Sequence, residues 1–540
     1  MTDVSHPLDD GLPTDGPAHA APAWAELENH ADLGLPSLRD LFAGDPTRGE
    51  RLGFECADLW IDLSRQHLTH ETVGFLHDLA RQRRVVDNLT RTLLGDTVNG
   101  SENRAAIHGA MRARDGLATN PEVKAGLATF ERMTELASAI RAGTATGSTA
   151  TRINALVQLG IGGSHLGPAL AVDALRHIAH PDVEIRFSSS ADADDLTEAL
   201  NGLDPASTLV IACSKSFTTA ETLTALDGAL AWLADGVGDA VMDHVIAVTA
   251  APDRARALGV DDERIFEIPL AVGGRFSLGS AVGLPVMVAI GPEAFDDLLA
   301  GMRLVDDLSA TRPPAENAAI QLALADVWNR CHLGRGSLAV VPYAHRLRLF
   351  TPYLQQLSME SLGKGVCENG KDPETATGPV VWGGIGTDAQ HAFFQLLHQG
   401  TDVIPVDFIG VARPAGDDAR SPQGAEIQMT NLAAQADALA FGRTDDEARA
   451  DGISDDLVAH RTFPGNRPST AILLPELTPS TLGQLIALYE NRTVAMAALL
   501  GINPFDQWGV ELGKKMALDL ADGSAPESEL LRRARSLRDA

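Results

Sequence analysis

Cysteine is scarce in this chain of 540 residues: there are four, Cys56, Cys213, Cys331 and Cys367, far apart and with no CxxC pair. That spacing argues against a disulfide framework and against a structural zinc cluster. Reduced, buried thiols are the expectation, as in a cytoplasmic protein. No run of about 18 apolar residues occurs, so no membrane-spanning helix is expected. The opening stretch MTDVSHPLDDGLPTDGPAHAAP has neither a basic n-region nor an apolar core and does not read as a signal peptide. Basic residues are outnumbered, 43 Lys and Arg against 73 Asp and Glu, giving a formal net charge of −30. That balance argues against a nucleic-acid partner. It leaves room for an anionic substrate wherever local cations or helix N-termini gather.

What is present is ordinary for a globular protein: 44% hydrophobic and 21% charged residues. The length suggests roughly two to four domain-sized units. Residues 1–22 read as a mobile tail rich in Pro, Gly, Ala and Asp. Residues 23–145 read as a helical segment, from the three- and four-residue apolar spacing of LRDLF (38–42), ADLWIDLSRQ (57–66) and HETVGFLHDLARQ (70–82). The character then changes. Short apolar runs at 153–163, 183–189, 208–214, 244–250 and 265–269 alternate with helical stretches, over a unit placed at 146–292. The alternation recurs within 293–504, with strands at 337–344, 378–386, 401–410 and 469–477 and helices at 347–362, 388–399 and 479–500. Such alternation implies parallel α/β sheets. Residues 413–424 read as a loop, 443–463 as acidic and irregular, and 505–540 as helical.

Five stretches can carry chemistry. GIGGSHLG (160–167) ends a strand and opens a helix; it is an anion-approaching turn or simply a tight one. It matches neither GxGxxG nor the P-loop. SKSFTTAET (214–222) packs five hydroxyls and a lysine into nine residues, more than an N-cap requires, and suits a phosphate monoester. Both turns fall at the carboxyl ends of parallel strands, where α/β sheets bind ligands. In GGRFSLGSAVGLP (273–285), Arg275 is a surface charge or a buried fork for an oxyanion. In TDAQHAFFQLLHQG (387–400), His391 and His398 stand seven apart and are expected near one helical face, with a structural role as the alternative to catalysis. In FDQWGVELGKK (505–515), Gln507 and Lys514 are also seven apart, and Lys514 taken singly reads as a solvated charge. A further stretch, YLQQLSMESLGK (353–364), sets Glu360 among neutral polar neighbours. Either it is half-buried and points to water, or it is a general base in a polar pocket. Gln356 is expected one helical turn before it on the same face.

Together these strings resemble the glucose-6-phosphate isomerase (phosphoglucose isomerase) family, in order and spacing, over nearly the whole chain. LRDLFAGDPTRGERL (38–52) and LTPSTLGQLIALYENR (477–492) extend the resemblance. It implies an α/β architecture of two sugar-isomerase (SIS) domains, each a parallel sheet in an αβα sandwich, with a helical N-terminal layer and a C-terminal helical extension. It implies no cofactor and no metal, a sugar-phosphate substrate, and a homodimer with active sites near the subunit interface. By the same resemblance Glu360 is the base that moves a proton between C2 and C1, and Arg275 stabilises the enediolate. His391, contributed across the interface, and Lys514 serve ring opening. Gly163, Ser164, Gln356 and Gln507 line the sugar site, and Ser214, Lys215, Ser216, Phe217, Thr218 and Thr219 hold the phosphate. The chain departs from the family pattern at His165 (commonly Asp), Ser216 (Thr), Leu362 (Asn) and Gly384-Ile385 (Glu-Pro), which bears on the fine shape of the sugar pocket. Rival readings are a dual phosphoglucose/phosphomannose isomerase and a non-catalytic SIS sugar-phosphate sensor. A SIS amidotransferase would need an N-terminal nucleophile, and the first cysteine here is Cys56.

Overall fold

The aliphatic runs of the middle of the chain form strands buried along their whole length, which places them inside parallel sheets covered on both faces. The computed structural model describes residues 14–113, 120–413 and 422–539. In chain order the strands are β1 (Gly53–Cys56), β2 (Leu59–Asp62), β3 (Ala155–Leu159), β4 (Glu184–Ser188), β5 (Thr208–Cys213), β6 (Val245–Thr249), β7 (Ile265–Glu267), β8 (Ser337–Pro342), β9 (Val380–Gly383), β10 (Val406–Arg413) and β11 (Ser469–Glu476). Strands β3 to β7 make a five-stranded parallel sheet in the order β4-β3-β5-β6-β7. The others make a six-stranded sheet in the order β1-β2-β11-β10-β8-β9. Its β11-β10-β8-β9 portion is parallel, and β2 joins β11 antiparallel.

Two expectations for the N-terminal region change. LWID, read as helical, is strand β2, paired antiparallel with β1 in register Gly53 to Asp62 and Cys56 to Leu59. Leu59 and Ile61 are buried while Trp60 between them is exposed, a period-two pattern that docking against β11 fixes. Within the expected tail, residues 1–13 lie outside the described residues, but Gly16 to Ala18 are buried and Arg83 donates to the carbonyls of Thr14 and Gly16. The acidic stretch 443–463 carries two short helices, Asp445–Ala450 and Asp455–Arg461, and Thr444 and Glu447 close a capping box on the first. Most of the expected loop 413–424 falls on residues 414–421, outside the described residues.

Helix Pro479–Leu500 is buried from Thr481 to its end. A helix so enclosed should be apolar throughout, yet its centre reads Tyr-Glu-Asn-Arg. Each of those polar groups is matched. Tyr489 donates to Asp407 at 2.9 Å, Asn491 donates to Asp306 at 2.9 Å, Glu490 pairs with Arg112, and Arg492 pairs with Asp326 and Asp407. Tyr353 also donates to Glu490, at 3.3 Å, which ties this buried layer to the segment that carries Glu360. Removing one partner of such a pair costs about 3–5 kcal/mol, because the other charge stays buried. The described chain divides into two compact units, one ending at Pro504 and one beginning at Phe505. The second holds helices Glu511–Ala521 and Glu529–Arg538, neither of which buries a residue. Among the described residues, no helix is long and apolar enough to cross a membrane.

Candidate active site

Two glycine turns touch backbone to backbone, and that contact builds the floor of the site. The first is Gly162–Ser164, just past β3; the second is Gly274–Phe276. A Cβ on Gly163 would stand 2.1 Å from the carbonyl oxygen of Gly274 and 2.8 Å from the nitrogen of Arg275, so only glycine permits the approach. Gly162 adopts φ +60°, and the Gln356 amide lies 3.0 Å from where its Cβ would be. Ser277 donates to the Gly163 carbonyl at 3.3 Å, and Gln158 donates to that of Ser164 at 2.8 Å. The strings GIGG and GGR are therefore two halves of one junction, with Gln356 above it.

Glu360 closes the segment Gln355–Glu360, which is a π-helix. Its backbone bonds reach five residues along, so four residues do not complete a turn. The wider winding, of the kind common at functional sites, still leaves Gln356 and Glu360 about one turn apart on one side of the helix. The side chain of Glu360 is 22% exposed and that of Arg275 is 1% exposed, and they face each other at 3.4 Å. Arg275 Nε donates to Ser361 Oγ at 2.7 Å, and one terminal nitrogen donates to the Pro504 carbonyl. Its guanidinium also lies over the ring of Phe276, 5.6 Å from the centroid. A carboxylate with access to solvent thus sits beside a buried, oriented cation.

The hydroxyl-rich turn after β5 is organised by its own hydrogen bonds. Ser214 pairs with Thr219 at 2.9 Å and accepts from the Phe217 amide at 3.1 Å; Ser216 pairs with Thr218 at 2.8 Å. Phe217 is buried with φ +51°, a left-handed residue that bends the turn. Helix Ala220–Val237 starts here, and the Thr219 side chain caps none of its first-turn amides. Those N–H groups and the exposed Ser216 and Thr218 hydroxyls suit an anion. The Lys215 side chain is placed differently from the expectation. Its ammonium donates to the carbonyls of Leu270 (2.8 Å) and Val272 (2.9 Å), clasping the loop that leads into Arg275. Burial lowers its pKa.

His391 is not on one helical face with His398. The helix breaks: Gly386–Gln390 ends before His391 and Phe394–Gln399 begins after it. His391 is exposed on the intervening turn, and its ring makes no hydrogen bond among the described residues. His398 is structural, bonded to Gln435 at 2.8 Å and set edge-on to Phe463, and burial lowers its pKa. Gln507 and Lys514 are exposed in the unit that begins at Phe505. Of the departures from the family pattern, Leu362 is a core residue, so close to Gly378 that a Cβ there would meet its own at 2.6 Å. His165 packs edge-on to Phe187, 5.6 Å between centroids, and burial lowers its pKa. Sequence reasoning missed Ser361 and the Pro504 carbonyl. A polar residue directly after the candidate base was the one available signal for Ser361, and a backbone carbonyl leaves none.

The family model described as phosphoglucose isomerase matches residues 62–532. A glucose-6-phosphate isomerase of Frankia casuarinae is 45% identical over 527 residues, covering 95% of this chain and 94% of that protein. Glucose-6-phosphate isomerase 1 of Streptomyces avermitilis is 47% identical, covering 92% of each. Among solved structures, the crystal structure of a glucose-6-phosphate isomerase from Chlamydia trachomatis superposes with a TM-score of 0.83 at 30% identity, covering 96% of this chain and 98% of that one.

Proposed function

The chain belongs to the phosphoglucose isomerase family, and we propose that it runs the family's reaction with Glu360 as the base and Arg275 as the oxyanion donor. The reaction is the reversible interconversion of glucose 6-phosphate and fructose 6-phosphate. The observation that carries the assignment is the Glu360–Arg275 pair, 3.4 Å apart, set on the junction of the two glycine turns.

The chemistry follows from what an aldose–ketose exchange needs. The pyranose first opens: a base takes the proton of the anomeric hydroxyl, the C1–ring oxygen bond breaks, and an acid protonates the ring oxygen. His391 and Lys514 share these two parts. Glu360 then takes the proton from C2, leaving a cis-enediolate whose negative oxygen is met by Arg275. The same carboxyl, whose proton exchanges with water while the intermediate lasts, delivers a proton to C1 as the proton on O2 passes to O1, giving the ketose. A positioned base contributes about 10²–10⁴-fold. An oriented buried cation stabilises charge that exists only in the transition state and intermediate. The phosphate ester, held at Ser214, Ser216, Thr218, Thr219 and the first turn of helix Ala220–Val237, lends binding energy that fixes the reacting carbons. Lys215 and Phe217 shape that turn, while Gly163, Ser164, Gln356 and Gln507 line the sugar.

The working form in this proposal is a homodimer in which His391 serves the partner subunit's site. Its exposure and lack of a ring hydrogen bond support this, as do Trp508, Leu512, Met516 and Leu530, apolar and exposed in the C-terminal unit. A cytoplasmic location fits the four free thiols, of which burial pushes Cys56, Cys213 and Cys331 up to about 12. The test is incubation with fructose 6-phosphate and chromatographic resolution of the products. Glucose 6-phosphate is expected from the wild type and none from Glu360→Gln; mannose 6-phosphate in comparable yield would instead support the dual-specificity reading.

A further inference from the structure

A guanidinium as buried as that of Arg275 must have its donors occupied, and which acceptors it meets decides where it points. Nε donates to Ser361 Oγ at 2.7 Å, and a terminal nitrogen donates to the Pro504 carbonyl. The group is planar and rigid, so holds on two different nitrogens set its plane. The other terminal nitrogen is the one that faces Glu360. Ser361 itself is 0% exposed and follows Glu360 directly in the chain. One backbone segment therefore carries both the base and the anchor of the cation. If that segment shifts, base and cation move together and their separation is kept.

We propose that Ser361 is a positioning residue for the isomerisation, its hydroxyl holding Arg275 where the negative charge of the enediolate develops. The inference rests on the reading of Arg275 as the oxyanion donor. Ser361 acts through Arg275, not on the substrate. An oxyanion donor works only within about 2.7–3.1 Å of the charged oxygen. Without the Ser361 acceptor, the guanidinium loses the hold on Nε that helps set its plane, and it turns away from the reacting oxygen. The ground-state sugar carries no charge at that point, so binding of substrate is spared while the chemical step suffers.

The experiment compares Ser361→Ala, Ser361→Cys and Arg275→Ala with the wild type. Four quantities are read: kcat, KM for fructose 6-phosphate, and inhibition by two analogues. One analogue is a five-carbon aldonate phosphate, whose carboxylate stands in for the enediolate; the other is a hexitol phosphate, with no anion at that end. For Ser361→Ala, kcat is expected to fall about 10–100-fold with KM within about twofold of wild type. Aldonate affinity should fall in step with kcat, and hexitol affinity should hold. Ser361→Cys, which keeps a weak acceptor in similar volume, should lose less, and it carries the test if the alanine variant does not fold. A purely structural serine would lower the melting temperature and leave the aldonate-to-hexitol preference unchanged. Wild-type kcat and aldonate preference in both serine variants, with both lost in Arg275→Ala, would overturn the inference and leave the Arg275 reading standing. Retained aldonate preference in Arg275→Ala would overturn both.

Discussion

Arg275 and His391 serve one proposed reaction, and the chain treats them in opposite ways. Arg275 is enclosed, with its plane fixed by Ser361 and Pro504 and its loop clasped by Lys215. His391 stands exposed on a break between two short helices, with no hydrogen bond to its ring among the described residues. The difference follows the chemistry. Charge that develops on an enediolate is stabilised by a group that need not reorganise, so its donor is built into the fold. A proton carrier for ring opening has to exchange protons and can be left accessible. In the proposed dimer, the Glu360–Arg275 half of the site lies within one protomer, and His391 comes from the other.

Several substitutions can break or sharpen that contrast. At the enclosed end, Arg275→Ala should lower kcat about 10²–10³-fold, measured at saturating fructose 6-phosphate. Next comes Lys215→Met. If its ammonium clasps the Leu270–Val272 loop, kcat falls about tenfold while inhibition by inorganic phosphate changes less than about threefold. A large loss of phosphate inhibition with kcat preserved would return Lys215 to the phosphate. At the exposed end, His391→Ala and Glu360→Gln chains are each expected to be inactive as homodimers. A purified heterodimer should recover about half the wild-type activity, because one of its two sites then holds both native residues. No recovery in a verified heterodimer would mean that His391 serves its own chain. The smallest effect is expected for His398→Asn, whose ring bonds Gln435: kcat unchanged and stability lowered by about 1 kcal/mol, by thermal melting.

The strands of both parallel portions were legible because buried aliphatic runs bounded by glycine and hydroxyl turns have few other fates. The same holds for GIGG, SKSFTT and GGR as turns, read from their glycines and hydroxyls. Strand β2 was not, because Leu59, Trp60 and Leu63 fit three- and four-residue spacing as readily as Leu59, Ile61 and Leu63 fit alternation, and pairing with β11 decides the matter. The first short helix of the acidic stretch could have been read from TDDE, a capping box at 444–447. The break at His391 lies beyond local signals: it accompanies packing of Phe393 edge-on to Trp382, at 4.7 Å between centroids, a contact set by strand β9. The destination of the Lys215 ammonium is likewise tertiary, since its acceptors are backbone carbonyls about 55 residues away. The neutral surroundings of Glu360 left it equally a solvent-facing residue or a base, and the π-helix that sets it beside Arg275 was not legible at all.

The most direct measurement follows the hydrogen on C2. Glucose 6-phosphate labelled with deuterium at C2 is incubated in ordinary water with wild type and with Glu360→Gln, and label retention is read by NMR while binding is checked by titration. Wild type should wash the label out. The variant should bind the phosphate ester and keep the label. Washout by the variant at near the wild-type rate would contradict Glu360 as the base.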